Sequence, residues 1–224
     1  MKIYITRHGE TQWNQQGRMQ GRQNSSLTAK GISDAKKLQK RLASVEFHHI
    51  YSSPLGRALE TAEILRGDRN LPIEEVSHFR EMHFGLWEGR TLGEIEGVYG
   101  EGYRNFWEAP EKFQPVEGES FEELLARVGH GLRLLGRRKD QGEAVCLLVA
   151  HAVVIKAIYV LVKNLSVKEF WNPPFMYGTN LSILEIKGEE RRFLLEGDMG
   201  HLQEVAQDNG FPKNHGKEKK NRIP

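Results

Sequence analysis

Apolar positions along this chain recur with two periods, one of strands and one of helices, and the two alternate. "KIYIT" (2–6) reads as a first, buried strand that ends at Arg7-His8-Gly9. A loop rich in Gln, Asn, Gly and Ser follows to about Ser26. Thr28 is the expected N-cap of a helix with Ile32, Ala35, Leu38 and Leu42 on one face. "HHIYSS" (48–53) predicts a short strand, and Ser53-Pro54 then reads as an N-cap with proline in the first turn of a helix through Leu65. A weak strand is expected near Ile73–Val76, followed by "FREMHFGLWEG" and two short helical stretches, Thr91–Val98 and Gly102–Ala109. "SFEE" (120–123) is a capping box, behind which Phe121, Leu124, Leu125, Val128, Leu132 and Leu135 repeat at helical spacing. Gly129 and Gly131 each weaken that helix by up to about 1 kcal/mol unless close packing requires them.

The most apolar stretch is "EAVCLLVAHAVVIKAIYVLVKN", where only His151 and Lys156 interrupt the run from Ala144 to Val162. As a membrane span it is marginal, and its first half is rich in β-branched residues. It divides better into a strand, Ala144–Val149, a turn at His151, and a helix from Ala152 to Val162. On that helix Lys156 is expected to be partly exposed with a buried stem. "LSILEI" and "RRFLLE" are two further strands joined by "KGEE" as a hairpin. Strands alternating with helices predict an α/β layer fold with a largely parallel sheet.

Composition narrows the function classes. The chain has 224 residues, enough for one domain with a full core, and is 38% hydrophobic and 28% charged. A net charge of +2 is too small to argue for nucleic acid or a membrane surface. Met1 leads straight into "KIYIT", without the basic and then apolar segments of a secretory signal. The single cysteine, Cys146, lies within the apolar run and is expected to be a buried thiol, consistent with a reducing cytoplasm. "NGFPKNHGKEKKNRIP" carries five Lys or Arg against one Glu, so 207–224 is expected to be a disordered basic tail behind a single domain, 1–206.

Two histidines, His8 and His151, each follow a short apolar strand. Ligands of open α/β sheets collect at the carboxyl ends of strands, so adjacent parallel strands would turn both rings into one crevice. The helix after His151 would add backbone N–H groups and a positive dipole end, suited to an anion. A lone histidine in such a place is more often a hydrogen-bonded core residue, but this one has company.

"TRHGETQWN", "SSPLGRALETA", "FREMHFGLWEG" and "VAHAVV" together resemble the histidine phosphatase superfamily, the phosphoglycerate mutase-like group, over about residues 2–206. Within it the chain is most similar to the small bacterial broad-specificity phosphatases. The resemblance implies a three-layer αβα sandwich with a largely parallel central sheet. It implies His8 as a nucleophile that becomes phosphohistidine, with Arg7, Arg57, Asn14 and His151 around the phosphoryl oxygens and Glu81 as proton donor. Gln20, Gly21, Ala152 and Thr179 are further expected at the phosphate or substrate. The chemistry fits those residue types: a neutral imidazole is available near pH 7, guanidinium forks match phosphoryl oxygens, and an alkoxide leaving group needs an acid. Met82, Phe84 and Trp87 could supply the apolar surroundings that raise a glutamate pKa. No metal or other cofactor is implied, and His48-His49 has no well-placed carboxylate or thiolate beside it. The family commonly has glycine where this chain has Ala152, and a positive φ there would strain the backbone and displace His151.

Phosphatase is expected over mutase. The segment 101–119 has five acidic residues against Arg104 and Lys112, a poor clamp for a bisphosphorylated ligand. A silent relative that only binds phosphorylated partners would lack the nucleophile or the acid, and both are present. Phe106, Trp107, Phe113, Trp171, Phe175 and Tyr177 are expected to border the crevice and favour varied small phosphomonoesters. No nucleic-acid or membrane partner is expected.

Overall fold

The computed structural model describes residues 1–136 and 144–205. Six strands form one mixed sheet. β1 is Lys2–Arg7, followed by the one-turn helix α1, Gln12–Gln15, and by α2, Ala29–Arg41. β2 is His49–Ser52, α3 Gly56–Arg66, β3 Ile73–Glu75, α4 Leu92–Glu108 and α5 Phe121–Gly136. β4, Val145–Ala150, leads into α6, Ala152–Lys163, and the hairpin strands β5, Leu181–Lys187, and β6, Glu190–Asp198, complete the sheet. The strand order is β3-β2-β4-β1-β5-β6. β3, β2, β4 and β1 run parallel, whereas β5 and β6 pair antiparallel.

Alternation along the strands assigns the layers. Leu147 and Val149 of β4 face α2 and α3, packing with Leu38, Ala58, Ala62 and Leu65. Cys146, Leu148 and Ala150 face the other way, with Ile3 and Ile5 of β1, toward α5 and α6. This is the αβα sandwich, with β4 buried on both faces as the unbroken apolar run required. No helix among the described residues is long and apolar enough to cross a membrane.

Several local signals act as read. Thr28 caps α2 by accepting the Gly31 N–H, and Ser120 and Glu123 close their capping box at the start of α5. Gly131 is required by packing: a Cβ there would lie 2.8 Å from the His78 Cβ. α5 thereby sits against the turn Ser77–Phe79 that leads to Glu81.

Four expectations need correction. The loop before Ser26 contains α1, capped reciprocally by Thr11 and Asn14. The two stretches expected between 91 and 109 form one helix, α4, kinked at Tyr99. Ser53 does not cap α3; Leu55 occupies the cap position without a side-chain bond, and the Ser53 hydroxyl is engaged elsewhere. Lys156 is buried, because its ammonium donates to the carbonyls of Asn172 and Pro174. Tail residues 207–224 lie outside the described residues.

Candidate active site

The sheet ladder sets the site. Arg7 pairs in register with Ala150, so His8 and His151 each stand one residue past the ends of adjacent parallel strands. His8 N–H donates to the Ala150 carbonyl at 3.0 Å, and Ser53 N–H donates to that of Val149 at 3.0 Å. Three side chains from β1, β2 and β4 thus reach the same carboxyl edge, and the two imidazole centroids lie 5.2 Å apart.

His8 Nδ1 lies 2.7 Å from the Gly9 carbonyl, an acceptor, so that nitrogen carries the proton and Nε2 carries the lone pair. Arg57 Nε donates to this Nε2 at 3.2 Å. Burial, then the Arg57 and Arg7 charges, holds His8 well below the usual imidazole range, so the ring is neutral. Arg57 is the second residue of α3, and its other guanidinium nitrogens donate to the Gln23 and Gly21 carbonyls at 2.6 and 2.8 Å. The loop carrying Gln20 and Gly21 is therefore tied to the same arginine. Arg7 donates through Nη1 to the Met176 carbonyl at 2.7 Å, while its Nε is buried without a partner among the described residues. Burial lowers both guanidinium pKa values to about 10, which leaves them charged at neutral pH.

Glu81 is buried, and burial raises its pKa against the opposing pull of the Met82 N–H, Arg57, Arg7 and the Val153 N–H. The Met82 N–H donates to its Oε1 at 2.9 Å. Met82, Phe84 and Trp87 belong to the core cluster behind this segment. The α6 N-terminus expected to greet an anion thus already faces a carboxyl group. His151 Nε2 lies 2.7 Å from the Ser53 hydroxyl, and its Nδ1 is buried without a partner among the described residues. Burial, followed by the Arg57 charge, keeps this ring neutral as well.

A neutral imidazole whose lone pair is oriented by the Arg57 Nε–H, two buried guanidinium groups and one protonatable carboxyl group form a constellation for phosphoryl chemistry. The comparisons with known proteins agree. The family model described as histidine phosphatase superfamily (branch 1) matches residues 3–198. The chain belongs to this superfamily. Phosphoserine phosphatase 1 of Hydrogenobacter thermophilus is 32% identical over 193 residues, covering 86% of this chain and 89% of that protein. The probable phosphoglycerate mutase GpmB of Salmonella arizonae is 31% identical over 215 residues, covering 93% of this chain and 98% of the relative. Among solved structures, Bacillus stearothermophilus YhfR superposes with a TM-score of 0.87 at 42% identity, covering 90% of this chain and 98% of its own.

The remaining residues singled out from the histidine phosphatase motifs are placed unevenly. Asn14 lines a cavity of about 320 Å³ with Arg7, Glu10, Tyr177 and Leu202, while its Oδ1 accepts the Thr11 N–H at 3.1 Å. Gln20 is buried, with its Oε1 unpartnered among the described residues, and Gly21 has φ +54°. Ala152 opens α6 and is not among the described non-glycine residues with positive φ, so the strain considered for it does not arise. Thr179 does have positive φ, and its N–H donates to the Arg7 carbonyl at 3.1 Å while its hydroxyl lies 3.3 Å from His201 Nε2. Of the aromatic residues, Phe106 and Phe113 are core, packed edge to face on Trp87, whereas Phe175 and Tyr177 are exposed. Among the described residues no three His, Cys, Asp or Glu side chains cluster as metal ligands do. Ser53 was missed as a site residue, because before a proline and a helix its commonest role is that of a cap.

Proposed function

We propose that this chain is a phosphomonoester hydrolase that works through phosphohistidine at His8 Nε2, with Glu81 as the proton donor. The carrying observation is that His8 gives its only proton to the Gly9 carbonyl at 2.7 Å and is held neutral by burial beside Arg57 and Arg7. In the first step the Nε2 lone pair attacks phosphorus, the P–O bond to the alcohol breaks, and Glu81 delivers its proton to the leaving oxygen. In the second, the Glu81 carboxylate takes a proton from water, water oxygen attacks phosphorus, and the P–N bond breaks. Arg7 and Arg57 are assigned the phosphoryl oxygens, so charge neutralisation needs no metal. Asn14, His151 and the Gln20-Gly21 loop are assigned supporting contacts.

The leaving group is assigned to the cavity where Tyr177, Met199 and Leu202 stand beside Arg7 and Asn14. Its wall is mixed, with Glu10, Lys30 and Asp34 as well as those apolar and aromatic side chains, and supports acceptance of varied small phosphomonoesters. Turnover of an aryl phosphate above that of a charged sugar phosphate is expected, and the reverse order would refute this assignment. Hydrolysis is favoured over mutase chemistry because 101–119 does not gather cations: Phe106 and Phe113 anchor it in the core, and Glu119 is turned onto Arg127. The deciding assay is inorganic phosphate release from 3-phosphoglycerate without added bisphosphoglycerate. Phosphate release is expected; isomerisation that depends on the bisphosphate would establish the mutase instead.

A further inference from the structure

We infer that Ser53 is a positioning residue that fixes the tautomer of His151, placing its proton on Nδ1 so that this N–H is the donor offered to the phosphoryl group. The inference rests on the phosphohistidine reading for its catalytic meaning, though not for the tautomer itself. Ser53 and His151 are both fully buried, and the Ser53 Oγ lies 2.7 Å from His151 Nε2. A neutral imidazole holds one ring proton, so this contact decides where that proton sits.

Two assignments are possible, and the hydrogen bonds separate them. The Ser53 Oγ already accepts the Leu55 N–H at 3.3 Å. If His151 also donated to it from Nε2, the hydroxyl hydrogen would lack an acceptor among the described contacts, and Nδ1 would be a bare lone pair. That lone pair would sit in a ring whose centroid is 5.2 Å from that of His8, where phosphoryl oxygens would repel it. If instead Ser53 donates to Nε2, every hydrogen on the serine side is used, and the buried, unpartnered Nδ1 carries an N–H. That arrangement supplies a donor where negative charge develops. Ser53 reaches this place because its N–H donates to the Val149 carbonyl, which sets β2 beside the end of β4.

Two measurements test the inference. Imidazole nitrogen NMR on the wild-type protein is expected to show His151 protonated at Nδ1 and bare at Nε2, and Ser53→Ala is expected to shift the ring toward Nε2 protonation. A wild-type ring protonated at Nε2 would overturn the proposal, and this readout needs no variant that folds. In a double-mutant cycle, Ser53→Ala is expected to lower kcat by about tenfold or more with KM nearly unchanged, and by less than about threefold in a His151→Ala background. An equal loss in both backgrounds would mean that Ser53 acts only through the backbone it supports, and would also overturn it. Activity that survives His8→Ala would instead defeat the phosphohistidine reading and leave the tautomer measurement standing.

Discussion

Glu81 has two obligations that conflict, and that conflict is measurable. Burial raises its pKa, so its contribution to folding is favourable below its ordinary value of 4.5 and is lost as pH rises through the raised value. Once pH has risen past that raised value, the ionised carboxylate is a burden on the fold. Glu81→Gln is therefore expected to raise Tm at pH 7 while lowering turnover of alkyl phosphates by about a hundredfold or more. An aryl phosphate with a stable phenolate leaving group needs no acid, so the first step should survive in this variant and phosphoenzyme should accumulate. A lowered Tm, or an equal first-step loss for both substrates, would contradict the role. Part of this environment was readable from the chain: the motif points to Glu81 and to its apolar neighbours Met82, Phe84 and Trp87, and Met82 also gives its N–H, whereas the approach of Arg7, Arg57 and Val153 comes only from the fold.

At the scale of elements, the clearest case is the β4–α6 unit. Its apolar run allows few alternatives, and the histidine between the halves falls at the strand end as read. Other readings failed where long-range contacts override local preference. The Ser53 hydroxyl pairs with a histidine 98 residues away instead of capping α3. Lys156 is buried because carbonyls at 172 and 174 receive its ammonium, which no helical period reveals. The two glycines of α5 separate local cost from packing need. A Cβ at Gly129 would meet only the Arg133 and Leu161 side-chain ends, at 3.5 Å and beyond, whereas one at Gly131 would meet His78 and Phe79 at 2.8 and 3.0 Å. Gly129→Ala is expected to be neutral or stabilising by up to about 1 kcal/mol, and Gly131→Ala to destabilise by about 1–3 kcal/mol. Urea unfolding measures both, and equal shifts would refute the packing argument.

Across the whole molecule, a layered α/β fold with a largely parallel sheet followed from alternating strands and helices, and the αβα order from the family resemblance. The gathering of distant side chains around one crevice followed only from motif resemblance joined to the β1–β4 register. That gathering has a global consequence. His8, His151 and His201 are all buried and shifted below the ordinary value of 6.5, chiefly by desolvation. The unfolded chain binds more protons than the folded one below that pH, so stability is full above about 6.5 and drains as pH falls through the lowered values. The urea midpoint is expected to fall between pH 7 and 5, with a shallower slope in His151→Asn. An unchanged slope would place that ring in solvent.

A covalent phosphoryl group on His8 is what the rest of the chemistry depends on. The protein should be mixed rapidly with a phosphomonoester, quenched in alkali to preserve a P–N bond, digested, and its peptides weighed. About one phosphoryl group per chain is expected, on His8, lost in acid and absent from His8→Ala, which should be inactive. Turnover with no phosphate on that peptide at any time, together with an active His8→Ala variant, would contradict it.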